Sequence, residues 1–246
     1  FMAYKHVLQV DDETIFKVLK ACAKAGGLVQ VHAENGDVIE VTVKEALAAG
    51  NTAPKYHGLT RPVELEAEAT SRAIRLAEVA GAPLYVVHVS SAMAADANSD
   101  GRKRGLHIYG ETCPQYLVCD VSDYDRPGFA GANYVMSPPL REKRDQKVLL
   151  QKLKNGELHT FGSDHCSFNN CGQKDMGKDD FSKIPNGAPG IETRMSLVWD
   201  GGVRTGRISA NRFVEITSAS PAKIFGLFPR KGTIAPGSDA DIVIFD

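Results

Sequence analysis

The chain has 246 residues, 43% hydrophobic and 24% charged, with a formal net charge of −1. This is the composition of an ordinary folded protein, long enough for one large α/β core. The charge balance gives no electrostatic basis for a nucleic-acid or anionic-membrane partner, and no apolar run approaches the ~20 residues of a membrane span.

In chain order, Asp12 is a cap for a helix through Ile15, Phe16, Val18, Leu19 and Cys22, which Gly26-Gly27 stops. A β-branched strand at 28–32 and a helix near 37–49 follow. Pro62 opens a helix whose apolar face is Leu65, Ala69, Ile74, Leu76 and Ala77, and Gly81 ends it. Leu84 to Val89 predict a strand, 91–104 a helix of small residues, and 106–109 another strand. Residues 134–140 read as an extended piece, 141–154 as a charged helix and 158–164 as a strand. The loop at 166–189 is long enough to be functional rather than a plain connection. Helices near 191–202 and 209–218 and one capped by Ser220-Pro221 come next, and Ile242 to Asp246 predict a final strand.

Strands alternating with helices predict a parallel α/β sheet. The pattern alone leaves a doubly wound sheet and a (β/α)8 barrel open, although no phosphate-binding G-x-G-x-x-G or G-x-x-x-x-G-K occurs. Five cysteines (Cys22, Cys113, Cys119, Cys166 and Cys171) form no C-x-x-C pair. Their odd number fits reduced thiols in the cytoplasm better than a disulfide framework. The chain starts Phe-Met-Ala-Tyr and stops inside an apolar run, so it is expected to be a fragment.

Three apolar strands end in metal-ligating types: "LVQVH" at His32, "PLYVVH" at His88 and "HTFGSD" at Asp164. A lone strand-tip histidine is usually a satisfied core residue, but three such tips on one barrel mouth suit a divalent metal such as zinc. The metal would make water a nucleophile near neutral pH, and the carboxylate could bind metal and take the proton. His165 should point away from Asp164, and His6, His57, His107 and His159 lack strand-tip positions. Cys166 has no dedicated base and is a poor candidate nucleophile. Tyr4, Ser137 and Asn186 each have bland readings as rim, turn and left-handed-loop residues.

The stretches "FMAYK", "VHAENGD", "PLYVVHVSS", "GETCPQYL", "YVMSPPLR", "GSDHCSF" and "GKDDFSKIPNGAPGIE" resemble the dihydropyrimidinase and D-hydantoinase family of cyclic amidohydrolases, as does the tail from Phe225. The resemblance implies a distorted (β/α)8 TIM-type barrel over residues 1–230, present from its fourth strand onward. Residues 231–246 would start a small β-sandwich segment. It implies hydrolysis of 5,6-dihydropyrimidines or 5-substituted hydantoins to N-carbamoyl amino acids by a homotetramer holding two zinc ions per subunit. By motif, His32 and His88 resemble ligands of the more exposed metal, and Asp164 a ligand of the more buried metal that is also the general base. Tyr4 resembles the tyrosine that stabilises the oxyanion, and Ser137 and Asn186 positions that hold the cyclic amide. The family's H-x-H pair and the carboxylated lysine that bridges its metals are not in this sequence, which fits the loss of an N-terminal third. Alternatives are a collapsin-response-mediator-like scaffold, disfavoured because His88 and Asp164 are intact, and an allantoinase, disfavoured by "KIPNGAPGIE".

Overall fold

The computed structural model describes residues 1–244. Its centre is a parallel sheet of four strands, β1 (Val29–Val31), β2 (Leu84–Val86), β3 (Ile108–Thr112) and β4 (Thr160–Phe161), side by side in chain order. The register pairs Val31 with Val86, Val86 with Gly110, and Thr112 with Phe161. Every strand therefore points the same way, and all four tips open at one end. Parallel neighbours need crossover connections, and helices supply them here.

Helix α1 (Asp12–Ala25) precedes β1. Between β1 and β2 lie α2 (Gly36–Ala48), the short α3 (Lys55–Leu59) and α4 (Val63–Ala80). Helix α5 (Ala92–Lys103) links β2 to β3, and α6 (Gln115–Val118) and α7 (Lys143–Asn155) lie between β3 and β4. Helix α4 packs against α1 on one side and α5 on the other, and α5 against α7, giving an outer layer in sheet order. Between the layers sit Leu19, Ile74, Ala77, Leu84, Ile108, Leu149, Leu153 and Leu158, all buried. At ~25 cal/mol per Å² of apolar surface, this seam is the main source of stability.

The helices follow the sequence closely, with one shift at the first cap. Asp11, not Asp12, caps α1 by accepting from the Thr14 amide at 2.8 Å. Asp12 instead pairs with Arg72 of α4 at 2.6 Å and ties the two helices. The strands are shorter than their apolar runs. β2 stops at Val86 because His88 turns left-handed (φ +41°), and β4 stops at Phe161 before left-handed Asp164 (φ +47°). β3 runs later than expected, over "IYGET", because its polar residues face partners inside the sheet end. Helix α8 (Arg194–Val198) runs on through a π turn to Arg204. Helices α9 (Ala210–Val214) and α10 (Ser220–Ile224) are likewise joined by a π turn, so Ser220-Pro221 continues a helix rather than opening a separate one.

The expected final strand is not formed at Ile242, Val243 and Ile244, which are exposed and pair with nothing in a sheet, and its last residues, Phe245 and Asp246, lie outside the described residues.

A buried ion pair locks the loop after β2. Glu66 of α4 accepts from the Ser90 amide (2.8 Å) and hydroxyl (2.6 Å) and from Arg141 Nη2 (3.0 Å), and Arg141 Nε donates to Ser90 Oγ (3.0 Å). Arg141 also donates to the Arg61 carbonyl. Removing one partner leaves the other charge uncompensated, at about 3–5 kcal/mol, whereas removing both together can be near neutral. Arg141→Met is therefore expected to lower stability by about that amount, and Glu66→Gln/Arg141→Met to recover much of the loss. Urea unfolding of the two variants is the measurement.

Candidate active site

The site is assembled at the tips of the strands. His32 follows the last residue of β1 and His88 lies two beyond the end of β2, and both are buried. His32 Nδ1 faces His88 Nε2 at 3.0 Å, and the ring centroids are 4.8 Å apart. Two imidazole lone pairs repel at that distance, so a proton or a cation has to lie between them. The far side of His32 is fixed by Glu34, whose Oε2 is 2.9 Å from His32 Nε2. Residues 32 and 34 share a face by the two-residue period of an extended chain, so "HAE" was a legible signal that the strand-tip analysis passed over. Burial pushes the Glu34 carboxyl up, but hydrogen bonding and charge from His32, with Arg61 and Arg141, outweigh it and hold the group at about 2. Burial and then the neighbouring His32 lower His88 to about 3. Its Nδ1 is buried with no hydrogen-bond partner.

The N-terminal segment closes over the tip of β1. The Met2 amide donates to the His32 carbonyl (3.0 Å) and the Gly36 amide to the Met2 carbonyl (3.0 Å). A Cβ on Gly36 would sit 2.7 Å from Ala3 Cα, so only glycine admits this crossing. Tyr4 is left-handed (φ +67°), and its carbonyl accepts from the amides of Val7, Leu8 and Gln9 at 2.9–3.1 Å. Its ring lies 5.5 Å from that of His32. Burial raises the phenol, and hydrogen bonding to Ser137 and Asn186 opposes that rise. Asn186 Nδ2 is 3.5 Å from the Tyr4 oxygen, and Asn186 Oδ1 is buried without a partner.

Asp164 lies three residues past β4, solvent-exposed on its open side. The surrounding protein desolvates its carboxyl and raises it, and the nearby His32 pulls it down. Among the described residues, the non-glycine positions with left-handed backbone are Tyr4, His6, His88 and Asp164. Three of these are site candidates. Such conformations cost on the order of 1–3 kcal/mol each and persist where the surroundings enforce them.

Sequence reasoning also passed over His57 and Arg61. Buried His57 hydrogen-bonds the Met136 carbonyl through Nε2 (2.8 Å), which lies 3.5 Å from Ser137 Oγ, and Arg61 Nη1 is 3.1 Å from its Nδ1. This couples α3 to the segment carrying Ser137. His165 is engaged elsewhere in the loop: its Nδ1 accepts from the Gly190 amide at 3.2 Å.

As a metal site the donor set fits in part. His32 and His88 present facing nitrogens near the spacing of two ligands on one ion (Zn–N about 2.0–2.1 Å), and Glu34 backs one of them as carboxylates commonly do. Among the described residues, no group of three or more His, Cys, Asp or Glu side chains is close enough to hold an ion. Asp164 does not join the imidazoles in such a group.

The model of the amidohydrolase family matches residues 2–246. The chain belongs to the amidohydrolase family. It is 59% identical over all 246 residues to a D-hydantoinase of Geobacillus stearothermophilus and 48% identical to a dihydropyrimidinase of Rattus norvegicus. It covers 52% and 48% of those proteins, so the chain spans about half the length of the curated relatives it matches. A D-hydantoinase crystal structure, 59% identical, superposes with a TM-score of 0.97 over 98% of this chain and 52% of the other. The four parallel strands are thus part of the TIM-type barrel of these amidohydrolases, a family that is generally metal-dependent. Among the described residues, no helix is long and apolar enough to cross a membrane.

Two predictions concern these groups. Glu34→Gln should weaken zinc binding by roughly 10–100-fold, and His88→Ala by at least as much, as read by calorimetric titration. The second concerns acid. Burial holds His57 well below its ordinary 6.5, His159 at about 4 and His88 at about 3, so these histidines stay neutral when folded and charge when unfolded. The unfolded chain then binds more protons, and stability falls as pH drops below 6.5. Glu34 adds a loss of the same sign below 4.5, while Asp164 and Glu111, both raised by burial, oppose it. Urea midpoints at pH 7 and pH 5, measured with chelator, should show the lower stability at pH 5.

Proposed function

We propose that this chain carries the strand-tip machinery of a metal-dependent hydrolase. Its reaction opens the ring of 5,6-dihydropyrimidines or 5-substituted hydantoins to give N-carbamoyl amino acids. The observation that carries this is the pair of buried imidazoles facing each other at 3.0 Å, with the Tyr4 ring beside them. Identity of 59% to a D-hydantoinase supports the substrate class. By the same resemblance, the working enzyme holds two zinc ions per subunit, with His32 and His88 on the more exposed one and Asp164 on the more buried one. It is a cytoplasmic homotetramer, and the tail from Lys231 belongs to a β-sandwich segment of the whole enzyme. The cysteines among the described residues are all free, which suits a reducing compartment.

When bound, the metal supplies the acidity that makes water a nucleophile near neutral pH. Asp164 takes the proton released as water attacks the ring carbonyl and delivers it to the departing ring nitrogen. Its desolvated setting raises its basicity for the first transfer. Tyr4, kept protonated by its raised pKa, donates a hydrogen bond to the carbonyl oxygen as negative charge develops there. Ser137 and Asn186 flank that hydroxyl and hold the amide edge of the ring, mainly through backbone groups. Water adds across one C–N bond, so one carboxylate and one N–H are formed for each bond broken.

The test uses the chain extended at its N-terminus to the length of its relatives, with dihydrouracil and a 5-aryl hydantoin as substrates. Asp164→Asn should lower turnover by a factor on the order of 10² or more with the fold intact. Near-normal turnover with metal retained would falsify its role as base, and no ring opening by the extended wild type would remove the proposed activity.

A further inference from the structure

The loop that bears Asn186 and the segment that bears Ser137 are far apart in sequence and meet around one side chain. Lys174 is 2% exposed, and its Nζ donates to three carbonyls: Val135 (3.0 Å), Pro185 (2.9 Å) and Gly187 (2.8 Å). Pro185 and Gly187 are the two neighbours of Asn186, and Val135 is two residues before Ser137. The three donors of an ammonium are thereby spent on the backbone that presents both residues. One further bond closes the ring, since the Gly187 amide donates to the Val135 carbonyl at 3.0 Å. Only glycine fits at 187, because a Cβ there would lie 2.3 Å from the Cys166 carbonyl.

Among the described residues, no carboxylate pairs with this lysine in a hydrogen bond or ion pair, which is unusual for a buried cation. Burial lowers it to about 8, with Cys166 the other group acting on it. A side chain retained at that cost, with every contact on the two substrate-facing segments, is poorly explained by stability alone.

We infer that Lys174 is a positioning residue: its ammonium clamps the Asn186 loop to the Ser137 segment and so sets the distance between the two groups that hold the cyclic amide. This rests on the proposed function for its substrate and on the geometry alone for the clamp. Lys174 touches neither the imidazoles nor the Tyr4 hydroxyl in any recorded contact, so it acts on binding rather than on bond breaking.

Lys174→Met keeps an unbranched stem and removes the donors. In the extended chain we expect KM for dihydrouracil or the hydantoin to rise roughly tenfold or more, with kcat within about threefold of wild type. In the 246-residue chain, hydrogen exchange at the Gly187 amide should quicken roughly tenfold, with the amides of α4 and α5 unchanged. Unchanged exchange at Gly187 overturns the clamp, and a fall in kcat at unchanged KM overturns its role in binding. If the extended wild type opens no cyclic amide, the proposed function fails, and exchange alone decides the clamp. Should Lys174→Met not fold, Lys174→Gln, which keeps two donors, is expected to show smaller shifts in the same direction. If neither variant folds, the residue is structural and the inference is wrong.

Discussion

The parallel register of the four strands is the constraint on which the site depends. Val31 lies opposite Val86, which sets His32 level with Val87, and with the left-handed turn at His88 the two rings meet at 3.0 Å although 56 residues separate them. A slip of one residue would turn His32 to the opposite face of the sheet and replace a facing pair of imidazoles with an unpaired one. The register is held from outside by the seam of α1, α4 and α5, and from inside by hydrogen bonds such as that of Tyr85 to Glu111 (2.8 Å). Apolar packing thus supplies the free energy, and the polar tips use the precision it provides.

Beyond the strands, precision comes from polar groups placed where they cannot be solvated. Glu66 and Arg141 fix Ser90, two residues after His88. The Glu111 carbonyl accepts from the Val89 amide at 2.7 Å, and Thr112 Oγ1 donates to the Val89 carbonyl at 2.8 Å. These bonds surround the left-handed His88 turn and offset its cost. Each one links segments remote in sequence, which is why the tips are rigid without being helical or extended.

Periodicity made the helices legible, because an apolar stripe and a glycine stop are local signals, as at Ala77 and Gly81 of α4. Three ligand types at three strand tips were legible for the same reason. The lengths of β2 and β4 were not, because an apolar run continues where the backbone has already turned left-handed, and nothing in "VVHVSS" announces that at His88. β3 was misplaced because Glu111 and Thr112 read as loop residues, whereas their partners Tyr85 and Val89 lie on or next to a neighbouring strand. The roles of His57, Arg141 and Lys174 were not legible because they are defined by carbonyls 11 to 80 residues away in sequence. The final strand shows the converse. Apolar alternation at Ile242 to Ile244 forms nothing where no neighbouring strand is offered.

The crossing of Met2 over Gly36 also bears on how such a site can change. Two backbone hydrogen bonds clasp the segment carrying Tyr4 to the residues on either side of Glu34, with no side chain involved in the clasp. The phenol and the imidazole therefore travel as one unit. The stretch from Asn51 to α3 lies outside that unit. Surface connections of this kind tolerate insertion and exchange, so what approaches the ring can diversify while the spacing of the groups that act on it is inherited intact.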